Sequence, residues 1–333
     1  MFVDVTTVAI IGAGIVGRTA ARQLAASGCV EKLILGARKP QRLHGFVRQL
    51  LDIDVEVVAP GPLPKADLTL LSLPTGGHAD LAEEALGHGS HVISISESPK
   101  DVEELLALEA MAVKEDRSVI VGAAFSPGLS CLLARHAASN FDRVDEVHLA
   151  RMGTGGPACQ RQLHRARTQD VVELRENRWI KRHSSTGREL VWFPDPLGAR
   201  DCYRAALSDP VLLGAIFPTA DRITAKVAGT RRDRLTSWLP MLRRPHRDGG
   251  PGAVRVEVRG VFNGEQTTHV IGAIDYPSAV AGVLAAIAGE WLITGDLPHG
   301  SWSLGMLDDP LPWLSELESR GVSAAVYEGI SSG

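Results

Sequence analysis

The sequence predicts an α/β protein in two parts: an N-terminal doubly wound parallel sheet, then an α+β domain with a mostly antiparallel sheet. Three observations carry this. Up to residue 125, short apolar runs alternate with helical patterns at βαβ spacing. A G-x-G-x-x-G run, Gly12 to Gly17, stands between the first strand pattern and the first helical one. Beyond Ser126 the continuous apolar runs give way to alternating segments broken by proline and glycine.

The first strand is Thr7–Ile11, a continuous apolar run closed by glycine, as in a strand buried on both faces. Helix formers from Arg18 to Ser27 end at Gly28, a natural helix stop. Lys32–Leu35, Val55–Val58, Leu68–Leu73, His91–Ile95 and Ser118–Val121 read as the next five strands. Helices are expected over 42–51, 78–87 and 101–115. Past Ser126, a helix over 129–140 precedes strand-like segments at 145–151, 171–174, 189–193 and 254–261. Residues 231–252 are polar and proline-rich and read as a long loop. Ser278–Leu292 carries no charge before Glu290, so it reads as a buried helix. The expected domains are 1–126 for the parallel sheet, 127–277 for a substrate and dimerisation domain, and 278–333 for a C-terminal helical segment returning to the first domain.

Composition narrows the function classes. The 333 residues are 44% hydrophobic and 22% charged, ordinary values for a globular protein. No apolar run reaches the roughly 18 residues that span a bilayer. The first residues lack the basic region and cleavage site of a signal peptide, so a cytoplasmic location is expected, with no membrane partner. The four cysteines are scattered, which argues against zinc ligation or a disulfide framework. The net charge of −4 conceals a basic middle: residues 151–260 hold 21 Lys+Arg against 11 Asp+Glu. That balance suits a cleft that attracts a small anionic molecule. No aromatic-interleaved basic stripe points to nucleic acid.

Gly12-Ala13-Gly14-Ile15-Val16-Gly17 has the context that gives its pattern meaning, a buried strand before and a helix after. Gly12 permits the tight turn, Gly14 lets a pyrophosphate approach the backbone, and Gly17 lets the helix pack on the sheet. The run therefore reads as a Rossmann dinucleotide site. A carboxylate at the end of the second strand holds the ribose 2′-hydroxyl of NAD. Here Gly36 and Ala37 stand there, followed by Arg38 and Lys39. Two cations without a carboxylate suit a 2′-phosphate, which favours NADP(H) over NAD(H). Ser72, Leu73 and Pro74 after the fourth strand, and Ser96 after the fifth, complete the expected cofactor contacts. His78 opens the helix after the fourth strand and reads mainly as structural.

Three of these segments together resemble the saccharopine dehydrogenase (glutamate-forming) family: the Gly12–Gly17 fingerprint, Ser72-Leu73-Pro74 with His78 and the 91–96 strand, and the 122–130 run. The last is similar to that family's Gly-x-Asp-Pro-Gly turn. This chain has Ser126 where the turn carries Asp, so no carboxylate role carries over. The resemblance implies reversible imine reduction on an amino-acid-like substrate, with Ser126, Pro127 and Gly128 near the substrate. Thr75–His78 with His91–Ile93 also resembles the glucose-fructose oxidoreductase family, but Ser98 stands where its Glu-Lys-Pro lysine would be. That resemblance leaves alcohol or sugar oxidation as an alternative, and a non-catalytic dinucleotide-binding regulator as another. Substrate carboxylates call for arginine. Arg161 and Arg165 follow the glycine-rich turn 153–156, and Arg231, Arg232 and Arg234 form a second group. His164 and Tyr203 are the candidate proton donors. Dimerisation through the second sheet is expected by analogy.

Overall fold

A computed structural model describes residues 6–50, 53–241 and 246–322. The first expected strand is β1, Thr7–Ile11, and it runs into α1, Ile15–Ser27, whose C-cap Gly28 is left-handed at φ 75°. Then come β2, Lys32–Gly36; α2, His44–Val47; β3, Asp54–Val58; and β4, Leu68–Leu71. Next are α3, His78–Gly87; β5, His91–Ser94; α4, Pro99–Leu106; α5, Glu109–Lys114; and β6, Ser118–Val121.

The helix expected over 42–51 is far shorter. A 3-10 turn at Pro40–Leu43 leads into the single turn of α2, where Gly45 weakens any longer helix. Leu51, at the end of that expected helix, lies outside the described residues. The helix expected over 101–115 divides into α4 and α5.

The chain continues through α6, Leu129–Ala138; β7, Arg143–Met152; α7, Pro157–Ala166; β8, Val171–Arg175; and β9, Arg178–Arg182. It goes on with β10, Glu189–Phe193; β11, Gly198–Arg204; α8, Asp209–Ile216; and β12, Arg222–Ala228. Then follow α9, Arg231–Thr236; β13, Gly252–Phe262; and β14, Glu265–Asp275. The last elements are α10, Pro277–Thr294; β15, Gly300–Trp302; and α11, Leu311–Ser319. The long loop expected over 231–252 instead opens with α9, started by a capping box between Thr230 and Asp233. Residues 242–245 of that loop and 323–333 of the C-terminal segment lie outside the described residues.

Two compact units result. One comprises the described residues up to 96 with 100–124 and 278–303; the other comprises 97–99, 125–277 and 304–322. In the first, seven parallel strands are ordered β15-β6-β5-β4-β1-β2-β3. The chain reverses direction across the sheet at β1 and β4, the place where such sheets open a ligand crevice at their carboxyl ends. Val8, Ala9, Ile10, Leu33, Leu35, Leu70, Val92, Ile93, Val119 and Ile120 are completely buried in it. α10 is apolar and long enough by composition to cross a bilayer, yet 72% of that window is buried. Its Gly282 meets Thr19 of α1 and its Gly289 faces Leu68 of β4, so it serves as a core helix of this unit.

In the second unit the strands run β10-β11-β12-β7-β13-β14, with β8 on β12 and β9 on β8. Every pairing is antiparallel except β12 with β7. The β13–β14 hairpin turns at Asn263-Gly264, both at positive φ, the dipeptide that such two-residue turns favour. α6 and α8 pack on this sheet, which buries Val147, Leu149, Ala225, Val254 and Val256.

One histidine ties fold to pH. His91 begins β5, and its Nδ1 accepts the Ser118 amide at 3.1 Å, an acceptor role that needs the neutral ring. Burial, with Arg117 and His299 nearby, lowers its pKa from 6.5 to about 4. Below the unfolded value only the unfolded chain takes up this proton. The contribution of His91 to stability is therefore level above pH 6.5 and falls as pH drops toward 4. Urea midpoints at about pH 7 and about pH 4.5 should differ more for the wild type than for His91→Asn, whose amide oxygen can still accept. Equal losses would show that His91 does not contribute.

Candidate cofactor and substrate sites

The turn after β1 is built on glycine because nothing larger fits. Gly12 has φ 108°, and a Cβ there would strike the Ser72 carbonyl. A Cβ on Gly17 would strike the Gly12 carbonyl and come within 3.1 Å of Ile10 Cγ2. The Gly12 and Ala13 amides both donate to the Gly36 carbonyl at 3.0 Å, and the Ser72 amide donates to Ile11 at 2.9 Å. The turn is thus held to the ends of β2 and β4 at once.

Gly14 is different. It is exposed, and a Cβ there would meet nothing within 4 Å. It is the N-cap of α1, which has no side-chain cap and no acidic residue in its first turn. Ile15 and Val16 open that helix. An uncapped N-terminus with open space in front of it fits an anionic group such as a pyrophosphate.

At the end of β2, Gly36 is buried, and a Cβ would lie 3.3 Å from Ile11 Cδ1. A side chain at this position would fit only if Ile11 shifted by a few tenths of an ångström, and the sequence places no carboxylate from Gly36 to Lys39. Ala37 gives its amide to the Val58 carbonyl, while Arg38 and Lys39 are exposed with no carboxylate partner among the described residues. Arg18 and Arg22 lie over the Phe46 ring at 5.4 and 4.8 Å, adding positive charge beside this end of the sheet.

Ser72, Leu73 and Pro74 follow β4 and are at least partly accessible. The loop they begin is supported from beneath. The His78 ring pairs through Nδ1 with Ser94 Oγ at 2.9 Å and through Nε2 with the Pro74 carbonyl at 3.3 Å. Burial holds the His78 pKa below its ordinary value, so the ring is neutral. Ser96 is buried and donates to Asp101 Oδ2 at 2.5 Å, and the same oxygen accepts the Gly76 amide at 2.8 Å.

In the second unit, Ser126, Pro127 and Gly128 are buried, and Gly128 caps α6 at φ 129°. Ser126 belongs to a polar cluster that sequence reasoning did not assemble. Its hydroxyl donates to Asp209 Oδ1 at 2.8 Å, and Ser130 donates to the same oxygen at 2.7 Å. Arg151 donates to the Ser126 carbonyl at 2.8 Å and pairs with Glu97 at 3.3 Å. The Cys159 thiol lies 3.3 Å from both Glu97 oxygens. Burial, with Glu97 beside it, pushes this thiol up to about 12, so it is protonated and not a nucleophile at neutral pH. Burial is the largest single influence and opposes the Arg151 charge, but the neighbouring groups, Glu97 first and Asp209 among them, together offset it and the guanidinium pKa is raised. Arg151 could have been found from alternation: Val147, Leu149 and Arg151 share the inward face of β7. Asp209 carried no comparable sequence signal.

The candidate proton donors stand elsewhere. His164 Nε2 donates to the Leu239 carbonyl at 2.8 Å. Tyr203 is buried on β11, with the Arg234 guanidinium 5.9 Å from its ring centre. No hydrogen bond or ion pair joins either to the Arg151 cluster among the described residues. Arg161 and Arg165 share the exposed face of α7 without an acidic partner among the described residues. Much of the remaining basic excess is neutralised, as in Arg188–Asp201, Arg204–Glu173 and the Arg255–Glu257–Arg259 group.

Breaking the Arg151 pair leaves the Glu97 carboxylate without its cation and the Ser126 carbonyl without its guanidinium donor. Arg151→Leu should lower unfolding stability by about 3 kcal/mol, and Arg151→Leu with Glu97→Leu should recover part of that. Chemical denaturation measures both. A loss under about 1 kcal/mol in the single variant would contradict the clasp assigned to Arg151.

Comparison with known proteins agrees with this geometry. Residues 7–98 match a family model described as NADP oxidoreductase coenzyme F420-dependent. The match covers the Gly12–Gly17 turn and ends before residue 125, where most of the second unit begins. No curated protein matches the sequence. The chain is similar in structure to an apo histidine-tagged saccharopine dehydrogenase (L-Glu forming) from Saccharomyces cerevisiae. The TM-score is 0.71 and the identity 14%, over 98% of this chain and 100% of that one. A C. glutamicum DAP dehydrogenase in complex with DAP aligns at TM-score 0.47 and 14% identity, over 95% of this chain and 99% of that one. A WlbA dehydrogenase from Bordetella pertussis in complex with NADH and UDP-GlcNAcA aligns at 0.47 and 15%, over 96% and 95%. The chain has the α/β fold of the saccharopine dehydrogenase, and residues 7–98, with the Gly12–Gly17 turn, are similar to an NADP oxidoreductase family.

Proposed function

We propose that the chain is an NADP(H)-dependent oxidoreductase that transfers hydride to or from a C–N bond of a small anionic metabolite. The observation that carries the cofactor reading is the end of β2, where the buried Gly36 stands in place of a carboxylate and Arg38 and Lys39 beyond it are exposed with no carboxylate partner among the described residues. A bound NADP(H) supplies the hydride chemistry itself. The protein's part is to bind and orient. The Gly12–Gly17 turn and the uncapped start of α1 receive the pyrophosphate, and the two cations receive the 2′-phosphate.

The C–N reading rests on the shared fold with the yeast saccharopine dehydrogenase and on the similarity of the 122–130 run. The anionic class of substrate rests on Arg161 and Arg165, which no carboxylate of the described residues neutralises. Calorimetric titration of NADPH and NADH tests the cofactor reading. Arg38→Ala should weaken NADPH by about tenfold or more, the loss of a charge-assisted phosphate contact, and leave NADH nearly unchanged. Equal losses for the two cofactors, or tighter NADH binding in the wild type, would overturn the NADP(H) assignment.

A further inference from the structure

The connection from β2 to β3 carries Arg38 and Lys39 but has little regular structure of its own. It holds one 3-10 turn, Pro40–Leu43, and the single turn of α2. The Ala37 amide reaches the Val58 carbonyl at 3.0 Å. Beyond it, the backbone–backbone bonds of 38–50 stay within the connection among the described residues. Burial of Leu43 and Phe46 fastens it on one side. The other support comes from α1, whose start is fixed by the close approach of Gly17 to the Gly12 carbonyl. Arg18 and Arg22 stand four residues apart on α1 and so share a face. Arg22 Nη2 donates to Gln49 Oε1 at 3.0 Å, which holds the far end of the connection.

Arg18 makes a longer link. Its Nε donates to the Ala13 carbonyl at 3.2 Å, and its Nη2 donates to the Arg42 carbonyl at 3.4 Å. Its guanidinium carbon lies 5.4 Å from the centre of the Phe46 ring, and that of Arg22 lies 4.8 Å from it. A planar guanidinium over a ring keeps its N–H donors free along its own edges, so two nitrogens can serve two separate carbonyls. The Arg42 amide in turn donates to the Lys39 carbonyl at 3.0 Å. A line of hydrogen bonds therefore runs from Ala13 in the glycine turn, through Arg18 and Arg42, to Lys39. The turn itself does not need this line, because the Gly12 and Ala13 amides already hold the Gly36 carbonyl.

We propose that Arg18 is a positioning residue for coenzyme selection: it ties the connection that carries Arg38 and Lys39 to the turn that receives the pyrophosphate. The two coenzymes share the pyrophosphate and differ at the ribose 2′ position. Fixing the connection therefore helps the one that brings a phosphate there. Cations already held in place lose less freedom on binding, so the 2′-phosphate gains more from them. NAD(H) has only a hydroxyl at that position and gains nothing from the same bridge. Arg18 acts through Arg42 and Lys39 and not by touching the coenzyme. This rests on the NADP(H) reading, and the experiment below separates a failure of the bridge from a failure of that reading.

The test is calorimetric titration of NADPH and NADH with Arg18→Met, which keeps a long helix-forming side chain and removes both donors. NADPH should bind about fivefold more weakly and NADH within about twofold of the wild type, a split that general damage to the fold would not give. In a protein that already carries Arg38→Ala and Lys39→Ala, Arg18→Met should change NADPH binding by less than about twofold, since no cation is left to position. Phe46→Leu keeps the Arg18 charge and removes the ring beneath it, so it should weaken NADPH selectively as well. It carries the test if Arg18→Met does not fold. Equal losses for the two coenzymes, or undiminished NADPH binding in folded Arg18→Met, would overturn the bridge. So would a loss that persists in the absence of Arg38 and Lys39, because it would show Arg18 acting on the phosphate by its own charge. If the wild type prefers NADPH and Arg38→Ala removes the preference while Arg18→Met does not, the bridge alone fails. A wild type without a preference for NADPH overturns the cofactor reading and the bridge together.

Discussion

The structure of the first unit depends on a close approach of backbone to backbone. Gly12 sits against the Ser72 carbonyl while its amide and that of Ala13 hold Gly36. A side chain at Gly12 would push β1 away from β4, and one at Gly17 would lift α1 off the sheet. With both glycines in place, the start of α1 is fixed at the carboxyl ends of three neighbouring parallel strands. The same packing leaves Gly14 open. The turn is thus rigid where the fold needs it and vacant where an anion can approach. The supports extend outward through Ser72 to the His78–Ser94 pair and the Ser96–Asp101 bond, so the loops around the site rest on buried hydrogen bonds.

The second unit solves a different problem. It buries an arginine completely and gives it partners from three segments: Glu97, the Ser126 carbonyl and Cys159. Asp209 gathers the hydroxyls of Ser126 and Ser130 on one oxygen. These bonds fix the Ser126–Gly128 turn, so the turn is held by charge-assisted contacts and not by its own sequence alone. The serine at position 126 does not leave this place without a carboxylate, because Asp209 brings one from the start of α8.

The legibility of the sequence follows the kind of burial. β1, β4, β5 and β6 are covered on both faces and appear as continuous apolar runs, which a reader finds directly. β9, with its arginines and lysine outward, has no such run, and neither does the polar first half of β14. Both follow tight turns, Glu176-Asn177 and Asn263-Gly264, and those turns were the available signal. α9 was expected as loop because residues 231–252 are polar and proline-rich, and the signal available for it was the capping box between Thr230 and Asp233. His164 looked free for catalysis, and only the fold brings the Leu239 carbonyl to it from 75 residues away. The cofactor end was legible because glycine spacing there is a steric requirement. Arg151 and Asp209 meet only through tertiary structure.

The most direct test of the account is calorimetry of NADPH with Gly14→Val. This residue sits at φ −75° and ψ −160°, where a β-branched side chain fits, and a Cβ meets nothing within 4 Å. The account predicts an unchanged melting temperature with NADPH binding abolished, since the valine would fill the space kept for the pyrophosphate. Undiminished NADPH binding in a folded Gly14→Val protein would contradict the placement of the cofactor at the start of α1.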